Sequence, residues 1–179
     1  MQFKDIVGQK DTKHDLIQSF KSDKISHAQL FLGKPGYGTL ALALAYSQYI
    51  FCENKSDDDS CGVCISCKQI SESQHPDLHF VFPVVLTLGK SSDVFLEDWR
   101  AQLNSKPYFD LFEWTERIDN KMRKPIIATE ESKEIRPCKI VAKNEIAAIL
   151  KPTVAVAGRR LKSFWKDELL MSLLRESMS

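Results

Sequence analysis

Residues 28–40 read AQLFLGKPGYGTL, a short apolar run followed by a glycine-rich turn and the start of an Ala- and Leu-rich segment. From Gly33 to Leu40 the spacing is that of a phosphate-binding loop, G-x-x-x-x-G-K-[ST], except at the last two positions. Thr39 replaces the lysine that neutralises the phosphates, and Leu40 replaces the hydroxyl that holds Mg²⁺. The glycines therefore indicate a nucleotide-binding fold, and the two substitutions predict that ATP hydrolysis is absent.

The elements predicted around this turn agree with the motif. Residues 28–32 are expected to form a buried strand and residues 39–51 a helix, which is the strand–turn–helix context that a phosphate loop requires. Backbone N–H groups and the helix dipole can still cradle a phosphate there, but without the lysine we expect ATP binding to be weak or absent. The candidate phosphate-binding residues are Gly33, Gly36, Gly38 and Thr39, and no catalytic residue is assigned.

Periodicity predicts further elements on both sides of this unit. Helices are predicted over 11–20, around 95–103, over 111–118, over 145–150 and over 161–174, and strands over 79–85 and 153–157.

Beyond residue 126 no apolar run ends in the acidic pair that an ATPase of this type uses to hold Mg²⁺.

Four of the five cysteines fall within sixteen residues, with the spacing C-x8-C-x2-C-x2-C: Cys52, Cys61, Cys64 and Cys67. Four thiolates can close a tetrahedral site around Zn²⁺, and Gly62 suits the tight turn of a zinc knuckle. Such a site is expected to be structural, because four protein ligands leave no position for water or substrate. An iron–sulfur cluster is the alternative metal group. Cys138 is expected to be an ordinary thiol.

Composition limits the partners. The formal net charge of the 179 residues is +1, which by itself implies neither a nucleic-acid nor a membrane partner. No apolar run approaches the ~18 residues of a membrane span, and no signal peptide opens the sequence, so we expect a cytoplasmic protein. Residues 132–179 carry ten Lys/Arg and five Asp/Glu, a basic stretch that is either a solvated helix face or a nucleic-acid contact. Acidic residues 57–59 are expected to form a solvated loop tip.

Three stretches together carry a family resemblance: DIVGQ at residues 5–9, SHAQLFLG at 26–33, and the cysteine cluster followed by HPDL at 75–78. They resemble the N-terminal region of bacterial clamp-loader AAA+ subunits, and most of all the delta-prime subunits of DNA polymerase III. The resemblance implies an α/β fold of the P-loop NTPase type, with a parallel sheet flanked by helices and a small zinc-knuckle insert.

The same resemblance implies a function. The gamma/tau ATPase subunits of this family keep a complete phosphate loop, so Thr39 and Leu40 favour a delta-prime subunit. Such a subunit is a non-catalytic stator that works with gamma/tau and delta subunits to load the sliding clamp onto primed DNA, within the DNA polymerase III holoenzyme. The alternatives are an active gamma/tau-type ATPase and a stand-alone zinc-containing nucleic-acid-binding protein.

Two regions are expected on this basis. Residues 1–135 form the AAA+-like N-terminal domain with its zinc insert at 52–67, and residues 136–179 form an atypical, basic and partly helical tail. The acidic strand motif, arginine-finger segment, helical lid and collar of the family have no match in the tail. The C-terminal part is therefore expected to be helical and incomplete relative to the family.

Overall fold

The computed structural model of the protein describes residues 1–25, 28–34, 37–127, 138–143 and 146–150. A short 3-10 helix, Phe3–Asp5, comes first, and a second, Ser92–Phe95, leads into the fourth α-helix. The remaining elements, in chain order, are α1 (Lys10–Lys21), β1 (Ala28–Leu32), α2 (Thr39–Phe51), α3 (Ile65–Ser71), β2 (Leu78–Val81), α4 (Leu96–Ser105), α5 (Leu111–Ile118), β3 (Cys138–Lys143) and β4 (Ile146–Leu150).

Most of the elements predicted up to residue 118 are confirmed. Strand β1 and helix α2 have the predicted bounds, and α1, α4 and α5 lie where the helical spacing places them. Strand β2 is shorter than predicted and ends before Pro83, which has no N–H to donate to a sheet. Val84 instead forms an isolated antiparallel bridge with Ile126.

The sheet has four strands in the order β1-β4-β3-β2. Strands β2 and β3 run parallel, whereas β4 pairs antiparallel with both β3 and β1. The expected parallel sheet is therefore correct only for β2 and β3. Strand β4 follows β3 after two residues, and such a short connection can only join antiparallel strands, since parallel neighbours need a crossover of a dozen residues or more.

The helix predicted over residues 145–150 is wrong, because Ile146–Leu150 form strand β4. A short apolar run such as IAAIL cannot be assigned to helix or strand by periodicity alone. Pairing on both sides, with Leu32 opposite Ile146 and Lys143 opposite Ile146, satisfies its backbone groups within the sheet. The predicted strand at 153–157 and helix at 161–174 lie outside the described residues, and the division at residue 135 stays a prediction.

Helix α2 forms the centre of the core. Every side chain from Ala41 to Tyr49 is buried, and the helix contacts β1, β4, α3 and the first 3-10 helix. A helix that is apolar on all sides is stable only when other elements surround it. None of the helices in the described ranges combines the length and apolar character needed to cross a bilayer.

Aromatic side chains join α4 and α5 to the end of β2. The ring of Phe82 stacks on Trp99 with a centroid distance of 4.1 Å, and Trp114 meets Trp99 edge-on at 4.9 Å. The indole Nε1 of Trp114 donates a hydrogen bond of 2.7 Å to the carbonyl oxygen of Pro83. These contacts bury both the apolar surface and the polar N–H of Trp114.

Substitution of Trp114 by alanine is expected to destabilise the protein by about 3–5 kcal/mol, because it leaves a cavity in this cluster. Phe112 on the same helix is 62% exposed, so Phe112→Ala is the matched control and should change stability by less than about 0.5 kcal/mol. Urea unfolding followed by circular dichroism measures both effects. Equal unfolding midpoints for the two variants would contradict this packing.

Candidate metal centre and glycine loop

Two helices and the loop between them bring the four cysteines of the cluster together. Cys52 follows the last residue of α2, Cys64 is the N-cap of α3, and Cys67 lies in the first turn of α3. Cys61 precedes Gly62, whose φ of 72° lies in the left-handed region that a turn of this kind uses. The sequence prediction did not include helix α3, although its first turn carries one of the predicted ligands.

The sulfur geometry suits a metal ion. All four Sγ atoms lie within 4.8 Å of one another, and those of Cys61 and Cys67 are 3.9 Å apart. Four Zn–S bonds of about 2.3 Å in a tetrahedron would place sulfur atoms about 3.8 Å from one another. The cluster can therefore hold a metal ion with little rearrangement.

Backbone N–H groups and burial act differently on the four thiols. The N–H groups of Val63 and Cys64 point at the sulfur of Cys61 and lower its pKa to about 6. Burial raises the pKa of both Cys52 and Cys67. Because metal ligands must be deprotonated, a bound cation would supply the charge that stabilises the two buried thiolates.

The segment that precedes Cys61 is attached to the core through Ser60. The hydroxyl of Ser60 accepts a hydrogen bond of 3.1 Å from Nε2 of Gln48, whose Oε1 accepts one of 2.9 Å from the amino group of Met1. Both Ser60 and Gln48 are buried, so these bonds satisfy polar groups that would otherwise be costly. No local pattern indicates this connection, because its partners are 12 and 47 positions apart in the chain.

The prediction of a solvated loop tip at residues 57–59 is confirmed for Asp57 and Asp58, which are exposed, and is wrong for Asp59, which is half-buried. The carboxylate of Asp59 accepts hydrogen bonds from the backbone N–H groups of Phe3 and Lys4, each 3.0 Å long. Asp57 forms an exposed ion pair of 2.8 Å with Lys21 at the end of α1. Asp59 therefore attaches the loop to the N-terminal segment, whereas the exposed ion pair of Asp57 with Lys21 contributes little.

The glycine loop joins β1 to α2, as predicted, and its geometry is described for Gly33, Gly38 and Thr39. Gly36, the remaining candidate residue, lies outside the described residues. Gly38 has φ of 80° and precedes the first helical residue, Thr39. A Cβ atom on Gly38 would lie 2.5 Å from the ring of Tyr108, so both the backbone angle and the close contact require glycine. The contact with Tyr108 has no counterpart in the local sequence pattern.

The two positions that depart from the motif, Thr39 and Leu40, are both half-buried. The methyl group of Thr39 lies 2.6 Å from the position that a Cβ on Gly33 would occupy. Leu40 is half-buried and packs against the core. The position that would hold the Mg²⁺-binding hydroxyl therefore contributes to packing.

The sequence is similar to a known protein family and to several known proteins. The family described as DNA polymerase III, delta subunit, matches residues 8–108, which include the glycine loop and the cysteine cluster. The DNA polymerase III subunit delta' of Bacillus subtilis (strain 168) is 39% identical over 83 residues, which are 46% of this chain and 25% of that protein.

Other relatives fall into two groups. The subunit delta' of Escherichia coli (strain K12) is 34% identical over 68 residues, 38% of this chain and 20% of its own length. The DNA polymerase III subunit tau of the same strain is 29% identical over 106 residues, 59% of this chain and 15% of its own length. The chain thus spans a quarter or less of the length of each of these three relatives.

Alanine substitution at Gly38 and at Gly8 separates the two requirements of the glycine loop. Gly8 has φ of 69°, and no atom of the described residues lies within 4 Å of where its Cβ would be, so Gly8→Ala should cost about 1 kcal/mol from backbone strain alone. Gly38→Ala should cost about 1–3 kcal/mol more, because the ring of Tyr108 must move. Chemical unfolding of both variants measures this difference, and equal losses of stability would argue against the contact with Tyr108.

Proposed function

The chain belongs to the family described as DNA polymerase III, delta subunit, and on this basis we propose that it is a clamp-loader subunit of the delta-prime type. The observation that carries the proposal is the pair Thr39 and Leu40 at the start of α2. Neither side chain can neutralise phosphates as lysine does, and Leu40 packs against the core instead of offering a hydroxyl to Mg²⁺. The proposed role is therefore that of a non-catalytic stator.

A stator role follows from what these residues can and cannot do. The backbone N–H groups at the start of α2 can attract a phosphate weakly through the helix dipole. Because Thr39 and Leu40 provide neither the lysine ammonium nor the Mg²⁺-binding hydroxyl of the motif, neither side chain makes contacts that depend on the presence of a γ-phosphate. We propose that the conformation of this subunit does not change with nucleotide. The subunit would act in the cytoplasm together with gamma/tau and delta subunits, in a complex that loads a sliding clamp onto primed DNA.

The metal is proposed to be structural Zn²⁺. The four sulfur atoms within 4.8 Å of one another match the soft ligands and the tetrahedral geometry that Zn²⁺ accepts. When bound, the ion would supply positive charge that keeps the four thiols deprotonated. Cys52 and Cys67 would then tie the end of α2 to the start of α3, so the ion would stabilise the fold and take no part in a reaction.

Metal analysis of the purified protein should find about one equivalent of zinc per chain. Cys64→Ser removes one ligand and should lower the zinc content below about half an equivalent, whereas Cys138→Ser, the matched control, should retain the wild-type content. Inductively coupled plasma mass spectrometry measures zinc and iron together. Iron in the wild-type protein, or equal zinc in both variants, would count against the assignment.

An active ATPase of the gamma/tau type is the second candidate, because subunit tau of E. coli matches more of this chain than subunit delta' of that organism does. The two candidates differ in ATP turnover. The wild-type chain should show no ATP hydrolysis above background, alone or with DNA, since the phosphate loop lacks its lysine. Steady-state hydrolysis at about 1 s⁻¹ or faster, abolished in Gly38→Ala, would establish the ATPase and remove the stator proposal.

Assembly is tested by co-purification with gamma/tau and delta subunits. The immobilised full chain should retain both subunits, and the destabilised Trp114→Ala variant should retain less, because association with these subunits requires the folded domain. Phe112→Ala controls for substitution on the same helix. If the wild-type chain retained neither subunit while showing a cooperative unfolding transition, the clamp-loader proposal would fail.

A further inference from the structure

The carboxylate of Asp59 lies between the cysteine cluster and the first residues of the chain. Its Oδ1 accepts hydrogen bonds from the backbone N–H of Phe3, 3.0 Å away, and of Ser60, 2.8 Å away. Its Oδ2 accepts from the N–H of Lys4 at 3.0 Å. The first N–H groups of a helix have no partner within it, so this carboxylate supplies acceptors that the 3-10 helix Phe3–Asp5 needs.

Gln2 makes a second connection to the same loop. Its Nε2 donates a hydrogen bond to the carbonyl oxygen of Ser60. Its side chain also lies against Gly62, where a Cβ would approach Oε1 of Gln2 to 2.8 Å. Since Ser60 precedes Cys61 and Gly62 follows it, Gln2 contacts the residues on both sides of this candidate ligand.

Residues 1–6 are in turn held by the core. Phe3 and Ile6 are 2% and 3% exposed, and the Phe3 ring lies 5.7 Å from the ring of Tyr49 on α2. Burial of two large apolar side chains favours docking of this segment against α2, and this gain opposes the entropy lost when the segment becomes ordered. Docking therefore fixes the N–H groups to which Asp59 binds.

We propose that Asp59 is a positioning residue that couples metal retention by the four cysteines to the docking of residues 1–6 on α2. The proposal rests on the metal site proposed above. Docked Phe3 and Lys4 hold Asp59 in place, and Asp59 holds the N–H of Ser60, which restricts the chain next to Cys61. A metal ion bound to Cys61 would restrict the same residues, Ser60 and Cys61, through the sulfur ligand. Coupling of this kind acts equally in both directions.

The neighbouring acidic residues provide matched controls. Asp59→Ala removes the three hydrogen bonds from backbone N–H groups and the longer one, 3.5 Å, from the hydroxyl of Ser60. Asp59→Asn keeps one oxygen that can accept from the N–H groups of Phe3 and Ser60. Asp58→Ala removes a charge one position away, and Asp57→Ala removes the exposed ion pair with Lys21. All four variants change the loop charge by one, so their comparison separates hydrogen bonding from charge.

The experiment measures zinc release from the full chain loaded with one equivalent of zinc, with a chromogenic chelator as the acceptor, under conditions where circular dichroism shows each variant folded. Asp59→Ala should release zinc roughly 10-fold or more faster than wild type, Asp59→Asn by a smaller factor, and Asp57→Ala and Asp58→Ala at the wild-type rate. Asp59→Asn keeps the test decisive if Asp59→Ala fails to fold.

Hydrogen exchange at the backbone amides of Phe3 and Lys4 tests the reverse direction. Removal of zinc from the wild-type chain by a chelator should accelerate their exchange while the amides of α2 stay protected. Equal zinc release from the Asp59 and Asp58 variants, or exchange that is unchanged by zinc, would overturn the coupling. Because neither measurement uses clamp-loader partners, failed co-purification and failed coupling are separate outcomes.

Discussion

Helix α2 is buried along most of its length, and its buried amide, Gln48, constrains what can surround it. An amide without partners in such a core would cost a few kcal/mol. Gln48 finds a donor in the amino group of Met1 and an acceptor in Ser60, so the first residues of the chain and the cysteine loop must meet at this helix. The arrangement of the N-terminal segment, the loop and α3 depends on that requirement.

The two candidate sites occupy opposite ends of the same helix. Gly38 and Thr39 begin α2, and Cys52 follows its last residue. Metal binding at one end would stabilise a helix whose other end carries the N–H groups that a complete phosphate loop presents to its ligand. The proposed stator role requires a stable helix α2, which metal binding at its C-terminal end would support. The role does not require ATP hydrolysis at the N-terminal end of the helix.

Residues near the start of α2, where the motif would place the lysine and the hydroxyl, take part in packing. Leu40 contributes apolar surface to the core, and Tyr108 lies against Gly38 from a segment far along the chain. A polar side chain at position 40 would lose part of that burial. Leucine at this position therefore adds to the packing of the core, where the motif would place a hydroxyl that binds Mg²⁺.

Local sequence was sufficient to predict the strand–glycine turn–helix unit, the grouping of four cysteines and the family, which the match over residues 8–108 confirms. Spacing and periodicity within about twenty residues encode the strand–turn–helix unit and the cysteine cluster, and the family is predicted from the resemblance of short stretches between residues 5 and 78, so none of the three requires knowledge of tertiary contacts. The mixed sheet, in which IAAIL becomes β4 instead of a helix, and the attachment of Asp59 to Phe3 and Lys4 emerge only in the folded chain. Both involve contacts between distant parts of the chain that satisfy backbone N–H and C=O groups, and no local pattern records which distant partner each group has.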